Sequence, residues 1–106
     1  MSGIDKEVKL LIEAILHSGE YAGYINEKER LKQMPEVKER VDEFRRRNFE
    51  LQNSGNYSFD KADQLEREFS DVLKLPEVSA FLDAELAFCR MMQEMNSTIA
   101  DAIVFE

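Results

Sequence analysis

The stretch from Pro76 to Val104, PEVSAFLDAELAFCRMMQEMNSTIADAIV, is the strongest indication of the architecture of this chain. Proline suits the first position of a helix, and no glycine or further proline interrupts the run that follows. Apolar side chains recur along the stretch in steps of three and four residues, the spacing of one helix face: Phe81, Ala84, Phe88, Met92, Met95, Ile99 and Ile103. The stretch therefore predicts one long amphipathic helix.

Such a helix is too long for a compact domain of 106 residues. At about 1.5 Å per residue it spans roughly 40 Å, whereas a globule of this length has a radius of gyration of about 13 Å. Its end should overhang with an uncovered apolar face, so we expect self-association, most simply as a homodimer. The predicted oligomer interface comprises the large side chains of the stripe: Phe81, Phe88, Met92, Met95, Ile99 and Ile103.

Two helices are predicted at the N-terminal end. The first spans residues 5–17, with an apolar face of Ile4, Val8, Leu11, Ile12 and Ile15. Ser18 can cap the amides of the second helix, which should end near Met34 because proline follows.

A second helical hairpin should precede the long helix. Pro35 begins its first helix, whose narrow apolar face contains Val37, Val41, Phe44 and Leu51. The sequence NSGN at residues 53–56 predicts a loop. Either Ser58 or Asp60 can cap a fourth helix with Ala62, Leu65, Phe69 and Val72 on its inner face. We therefore predict an all-α fold of about five helices in antiparallel hairpins, forming a single domain over residues 1–106.

Composition restricts the class of protein. An apolar content of 43%, with 4 Gly and 2 Pro, is ordinary for one globular core. Charged residues interrupt the first ten positions, and no apolar run is long enough to insert into a membrane. The single cysteine fits a reducing compartment. We therefore expect a cytoplasmic protein.

The net charge of −8 disfavours nucleic acid as a partner. Residues 60–85 hold eight acids against three basic residues, and this balance repels phosphate. Residues 36–50 are balanced in charge, so a basic patch would depend on geometry. The alternative hypothesis is an RNA-associated accessory subunit that contacts phosphate through Lys38, Arg45 and Arg46.

No reaction chemistry is recognisable, so we expect no enzymatic activity and no cofactor. His17 is the only histidine and should lie at the end of the first helix, where it either hydrogen-bonds terminal carbonyls or lies in solvent. Cys89 is expected to be a small buried apolar residue, and an iron–sulfur cluster would require cysteines from further chains. Met91, Met92 and Met95 either fill gaps in the core or form an adaptable binding surface.

The order of these signals resembles the YlbF/YmcA family of small helical bacterial proteins. The resemblance covers the chain from about Asp5 to Val104. Its residues are SGEYAGY at 18–24, LKQMPEV at 31–37, EFR at 43–45, LQ at 51–52, Phe69, LPEV at 75–78, FLDAE at 81–85, Phe88, Ile99 and Ile103.

The resemblance implies a non-enzymatic regulator that binds other proteins, as a homodimer or as a complex with related family members. It further implies control of competence, sporulation or biofilm formation, or a link to RNA processing in a ribonuclease complex with RNase Y. One branch of the family carries a cysteine-rich extension associated with iron–sulfur clusters, which this chain, with Cys89 alone, does not match.

Overall fold

The computed structural model describes residues 3–104, most of which lie in six α-helices. These helices are α1 (Asp5–Leu16), α2 (Gly19–Lys32), α3 (Pro35–Asn53), α4 (Phe59–Glu68), α5 (Ser70–Leu73) and α6 (Pro76–Val104). No strand is formed within residues 3–104. The all-α fold and its long C-terminal helix are therefore confirmed.

Local sequence signals set most of the helix starts. Ser18 precedes α2 and its hydroxyl oxygen accepts a hydrogen bond from the Tyr21 amide at 3.1 Å. Ser58, rather than Asp60, caps α4, accepting from the Lys61 amide at 3.2 Å. Pro35 and Pro76 are the first residues of α3 and α6. Each start thus has a side-chain cap or a fixed proline angle that favours it.

The fourth predicted helix is divided in the structure, so the count of five becomes six. Phe69 separates α4 from α5 with backbone angles of φ −106° and ψ 16°. Its side chain is only 2% exposed and packs edge-on against Phe44, with ring centroids 5.6 Å apart. We attribute the break to this burial, because it keeps Leu65, Phe69 and Val72 together in one cluster while the chain turns toward α6.

The core consists of two adjoining clusters. The first contains Leu31, Val41, Val78 and Phe81 and joins α2, α3 and α6. The second contains Leu65, Phe69 and Val72 under α3. Val37 and Leu73 pack against both clusters, so the start of α3 and the end of α5 connect them.

The described chain is elongated. Its radius of gyration is 17.3 Å and its dimensions are 49 × 35 × 22 Å, against about 13 Å expected for a compact domain of 100 residues. Two segments account for much of this shape, because α1 has no buried residue and the buried residues of α6, Val78 and Phe81, lie near its start.

Candidate interaction surface

Aromatic rings fix how far α2 extends along α6. Tyr24 contacts both Phe81 and Phe88, with ring centroids 5.9 and 5.6 Å apart. Tyr21, one turn earlier in α2, contacts Phe88 at 5.6 Å. Earlier residues of α2 thus meet later residues of α6, so the two helices are antiparallel. Because α2 begins at Gly19, only two residues before Tyr21, it covers α6 only to a point shortly beyond Phe88.

The apolar face of α6 continues past the end of α2. We call residues 93–104 the α6 tail. Met95 is half-buried, whereas Ile99 is 45% exposed and Ile103 is 71% exposed. These residues lie at helical spacing from Phe88, so the face that packs against α2 is the same face that is open farther along. The predicted overhang is therefore present.

The six predicted interface residues divide into three groups. Phe81 is 3% exposed and belongs to the core of this chain, so we leave it out of the interaction surface. Phe88, which contacts α2, and Met92, one turn later in α6, are half-buried and mark the boundary of the interaction surface. Met95, Ile99 and Ile103 lie in the α6 tail and constitute the open part of the stripe.

Helix α1 is a second open apolar surface, which the sequence did not predict as a site. Val8, Leu11, Ile12 and Leu16 are 38–49% exposed, and Ile15 is half-buried. We call these five residues the α1 stripe. The signal was available in the sequence as an amphipathic pattern, but a pattern alone does not tell whether the same chain covers the face.

The three cations proposed for a phosphate surface are each paired with carboxylates. Lys38 donates to Asp42 at 2.6 Å, and Arg45 donates to Glu85 on α6. Arg46 donates to both Glu43 and Glu50 on α3. These carboxylates neutralise the cations locally, so the geometry forms no basic patch from Lys38, Arg45 and Arg46.

Two further arginines join α3 to α4 and α5 around Phe69. The Arg47 guanidinium donates to both carboxylate oxygens of Glu68 at 2.8 Å, and this lowers the pKa of Glu68. Arg40 donates to Asp71 at 2.6 Å and lowers the pKa of that carboxyl. Both guanidinium groups also lie over the Phe69 ring. The position of the ion pairs beside a buried ring indicates a structural role for them.

Within the described part of the chain, the residues with catalytic or ligand chemistry do not come together in one site. His17 Nδ1 donates to the Glu13 carbonyl at 2.7 Å, which confirms its predicted place at a helix end. Cys89 is exposed, so the prediction that it is buried is wrong. Within residues 3–104 no group of His, Cys, Asp and Glu could hold a metal ion. No helix among these residues combines the length and apolar content needed to cross a membrane.

Comparison with known proteins identifies relatives. The family described as "Control of competence regulator ComK, YlbF/YmcA" matches residues 4–104. A UPF0342 protein from Desulfitobacterium hafniense strain Y51 is 29% identical over 98 residues, which cover 89% of this chain and 79% of that protein. No solved structure matches this chain.

Proposed function

This chain belongs to the YlbF/YmcA family, and we propose that it is a non-enzymatic regulator that acts as a homodimer and binds other proteins. The family description, control of the competence regulator ComK, gives the coarse function, which is regulation. The homodimer, the single-domain organisation over residues 1–106 and the identity of the bound proteins belong to the proposal.

The observation that carries the proposal is the open apolar face of the α6 tail. Met95, Ile99 and Ile103 continue a stripe that is already used for packing against α2. A contiguous apolar surface that is rimmed by polar residues is typical of protein–protein contact sites. Gln93, Glu94, Asn96 and Ser97 supply such a rim on the other sides of the same helix segment.

The pathway is the finer part of the proposal. Control of competence is the output closest to the family description, and sporulation, biofilm formation and RNase Y-dependent RNA processing are further candidates. In each of them the protein would act by occupying a surface of another protein, either a related family member or a subunit of a ribonuclease complex. Direct contact with RNA is not supported, since Lys38, Arg45 and Arg46 are paired with acids.

Complementation with two matched variants tests this function. Ile99→Asp places a charge on the open stripe, and Ser97→Asp places the same charge on an exposed position of the same helix away from the stripe. In a host that lacks its own YlbF/YmcA-family gene, wild type and Ser97→Asp should restore competence, whereas Ile99→Asp should not. Full restoration by an Ile99→Asp protein that is monomeric in solution would refute the functional homodimer.

A further inference from the structure

Helix α1 is only partly packed by the rest of residues 3–104. It has 12 residues and none of them is buried. Isolated helices shorter than about 12–15 residues are marginal in water, and most helical stability in proteins comes from packing an amphipathic face. The α1 stripe is such a face, and about half of its surface remains open to solvent. We therefore expect α1 to be stabilised by a further packing surface, beyond its contacts within residues 3–104.

The α6 tail has the same length as α1 and leaves the molecule at the same end. Both segments contain 12 residues, since the tail spans residues 93–104, and each is roughly 18 Å long. Helix α1 joins α2 through Ser18, next to the Tyr21–Phe88 contact, and the tail begins five residues beyond Phe88. Neither segment covers the other within the chain, because Val8, Leu11, Ile99 and Ile103 are all exposed.

Charge favours α1 over a second tail as the surface that faces the tail. The tail carries Glu94 and Asp101 and no cation, so two tails from two copies would bring four carboxylates together. Helix α1 carries Lys6 and Lys9 beside three acids, so its net charge is −1. Pairing α1 with a tail therefore supplies two cations for the tail carboxylates, whereas pairing tail with tail supplies none and gives only like charges.

The area available suits a second copy of this chain. Six large apolar side chains on the two stripes are exposed: Val8, Leu11, Ile12, Leu16, Ile99 and Ile103. A fully buried side chain of this size removes roughly 60–120 Å² from water, so six half-exposed ones offer roughly 180–360 Å² per copy. This is about a quarter to a half of the ~800 Å² that each partner buries in a standard interface, in which the remainder comes from polar and small residues.

We propose that the α1 stripe of each copy packs against the α6 tail of the other copy. The homodimer is then held by an intermolecular core of four helical segments, two α1 helices and two α6 tails. Because the dimer has two-fold symmetry, the α1–tail contact occurs twice. The two contacts together cover the α1 stripe and the α6 tail of both copies. This inference rests on the proposed homodimer and specifies which surfaces form it.

Cross-linking between two distinguishable chains tests the pairing. Both chains carry Cys89→Ser, one carries Leu11→Cys with a large tag, and the other carries Ile99→Cys with a small tag. Leu11 and Ile99 lie near the middle of their segments, so they approach each other whichever direction the segments run. The two chains are co-expressed, purified together and treated with a short bismaleimide. The expected result is a covalent product of mixed mass.

Two controls make the result specific. Ser97→Cys, off the apolar stripe, replaces Ile99→Cys and should abolish most of the mixed product. A single chain with both Leu11→Cys and Ile99→Cys should cross-link to a dimer of doubled mass. If that double variant cross-links within itself and stays at monomer mass, α1 covers its own tail and the inference is overturned.

The experiments distinguish an error in the α1–tail pairing from an error in the proposed homodimer. A wild-type protein that is monomeric by light scattering would overturn both. A wild-type dimer in which Ile99→Cys cross-links only to Ile99→Cys, with no mixed product from Leu11→Cys, would overturn the α1–tail pairing and leave the homodimer standing.

Discussion

The rings of Tyr24 and Phe88 are stacked, with centroids 5.6 Å apart and planes 11° apart. Phe88 also contacts Tyr21, so it is held by two tyrosines of α2. Aromatic pairs of this kind stabilise a fold by about 0.5–1.5 kcal/mol beyond the burial of their area. Phe88 therefore lies near the end of the intramolecular contact, five residues before the open α6 tail begins.

Replacing Phe88 by alanine should destabilise the fold. Phe→Ala costs about 3–5 kcal/mol in a full core, and we expect about 2–3 kcal/mol for this half-buried ring. Urea unfolding at fixed protein concentration measures the change. Phe59→Ala is the matched control, since Phe59 is 80% exposed and should change the free energy of unfolding by less than about 0.5 kcal/mol. Equal effects of the two variants would contradict the packing described.

Introducing Asp at position 99 should dissociate the protein without unfolding it. Ile99 is exposed in the single chain, so the charge is tolerated there, but it would be desolvated without a partner in an apolar interface. Light scattering should give a monomer mass for Ile99→Asp and the wild-type mass for Ser97→Asp, with the same helical circular dichroism for both. A dimeric Ile99→Asp protein would exclude the α6 tail from the interface.

Acid should weaken the junction of α3 with α4 and α5. Arg47 lowers the pKa of Glu68, and Arg40 lowers the pKa of Asp71. A carboxyl group whose pKa is depressed by folding contributes stability above its unfolded pKa and loses it as the pH falls through the folded pKa. The stabilisation is thus complete above about pH 4.5 and declines at lower pH, since the unperturbed values are 4.5 for Glu and 3.8 for Asp.

Thermal unfolding from pH 6 down to pH 3 measures this effect. Glu68→Gln combined with Asp71→Asn should lower the melting temperature near neutral pH and make it less dependent on pH below 4.5. Glu66→Gln is the control, because Glu66 is exposed on the same helix and forms no ion pair within residues 3–104. An unchanged acid slope in the double variant would show that these ion pairs do not contribute to stability.

RNA should bind weakly or not at all. The chain carries a net charge of −8, and Lys38, Arg45 and Arg46 are paired with carboxylates. Fluorescence anisotropy with single-stranded RNA at low salt should show no saturable binding at micromolar protein. Tight binding that weakens steeply as salt is added would contradict this expectation, because that dependence is the signature of phosphate contacts.

Helix positions could be read from the sequence because their signals are local. Pro35 and Pro76 mark two helix starts and Ser18 marks a third. The break at Phe69 was missed, since it depends on a ring packed against Phe44, which is 25 positions away in the chain. Local propensity does not report such tertiary contacts.

The site could be predicted only in part. Phe81 and Ile99 lie on the same helical stripe, and the sequence gives no means of telling them apart. The structure separates them because α2 covers α6 from Phe81 to just beyond Phe88 and no farther. Likewise, the run of basic residues that contains Arg45 suggested a cationic surface. The carboxylate that pairs with Arg45 belongs to Glu85, which is 40 residues away in the chain, so the sequence did not reveal the ion pair.

The molar mass of the wild-type protein in solution shows whether the homodimer exists. Light scattering behind size exclusion should be recorded at low and at high salt, because an apolar interface weakens little when charges are screened. We expect a mass near twice 12.4 kDa at both salt concentrations. A mass of 12.4 kDa at both would contradict the homodimer and would show that the open faces of α1 and α6 do not mediate self-association.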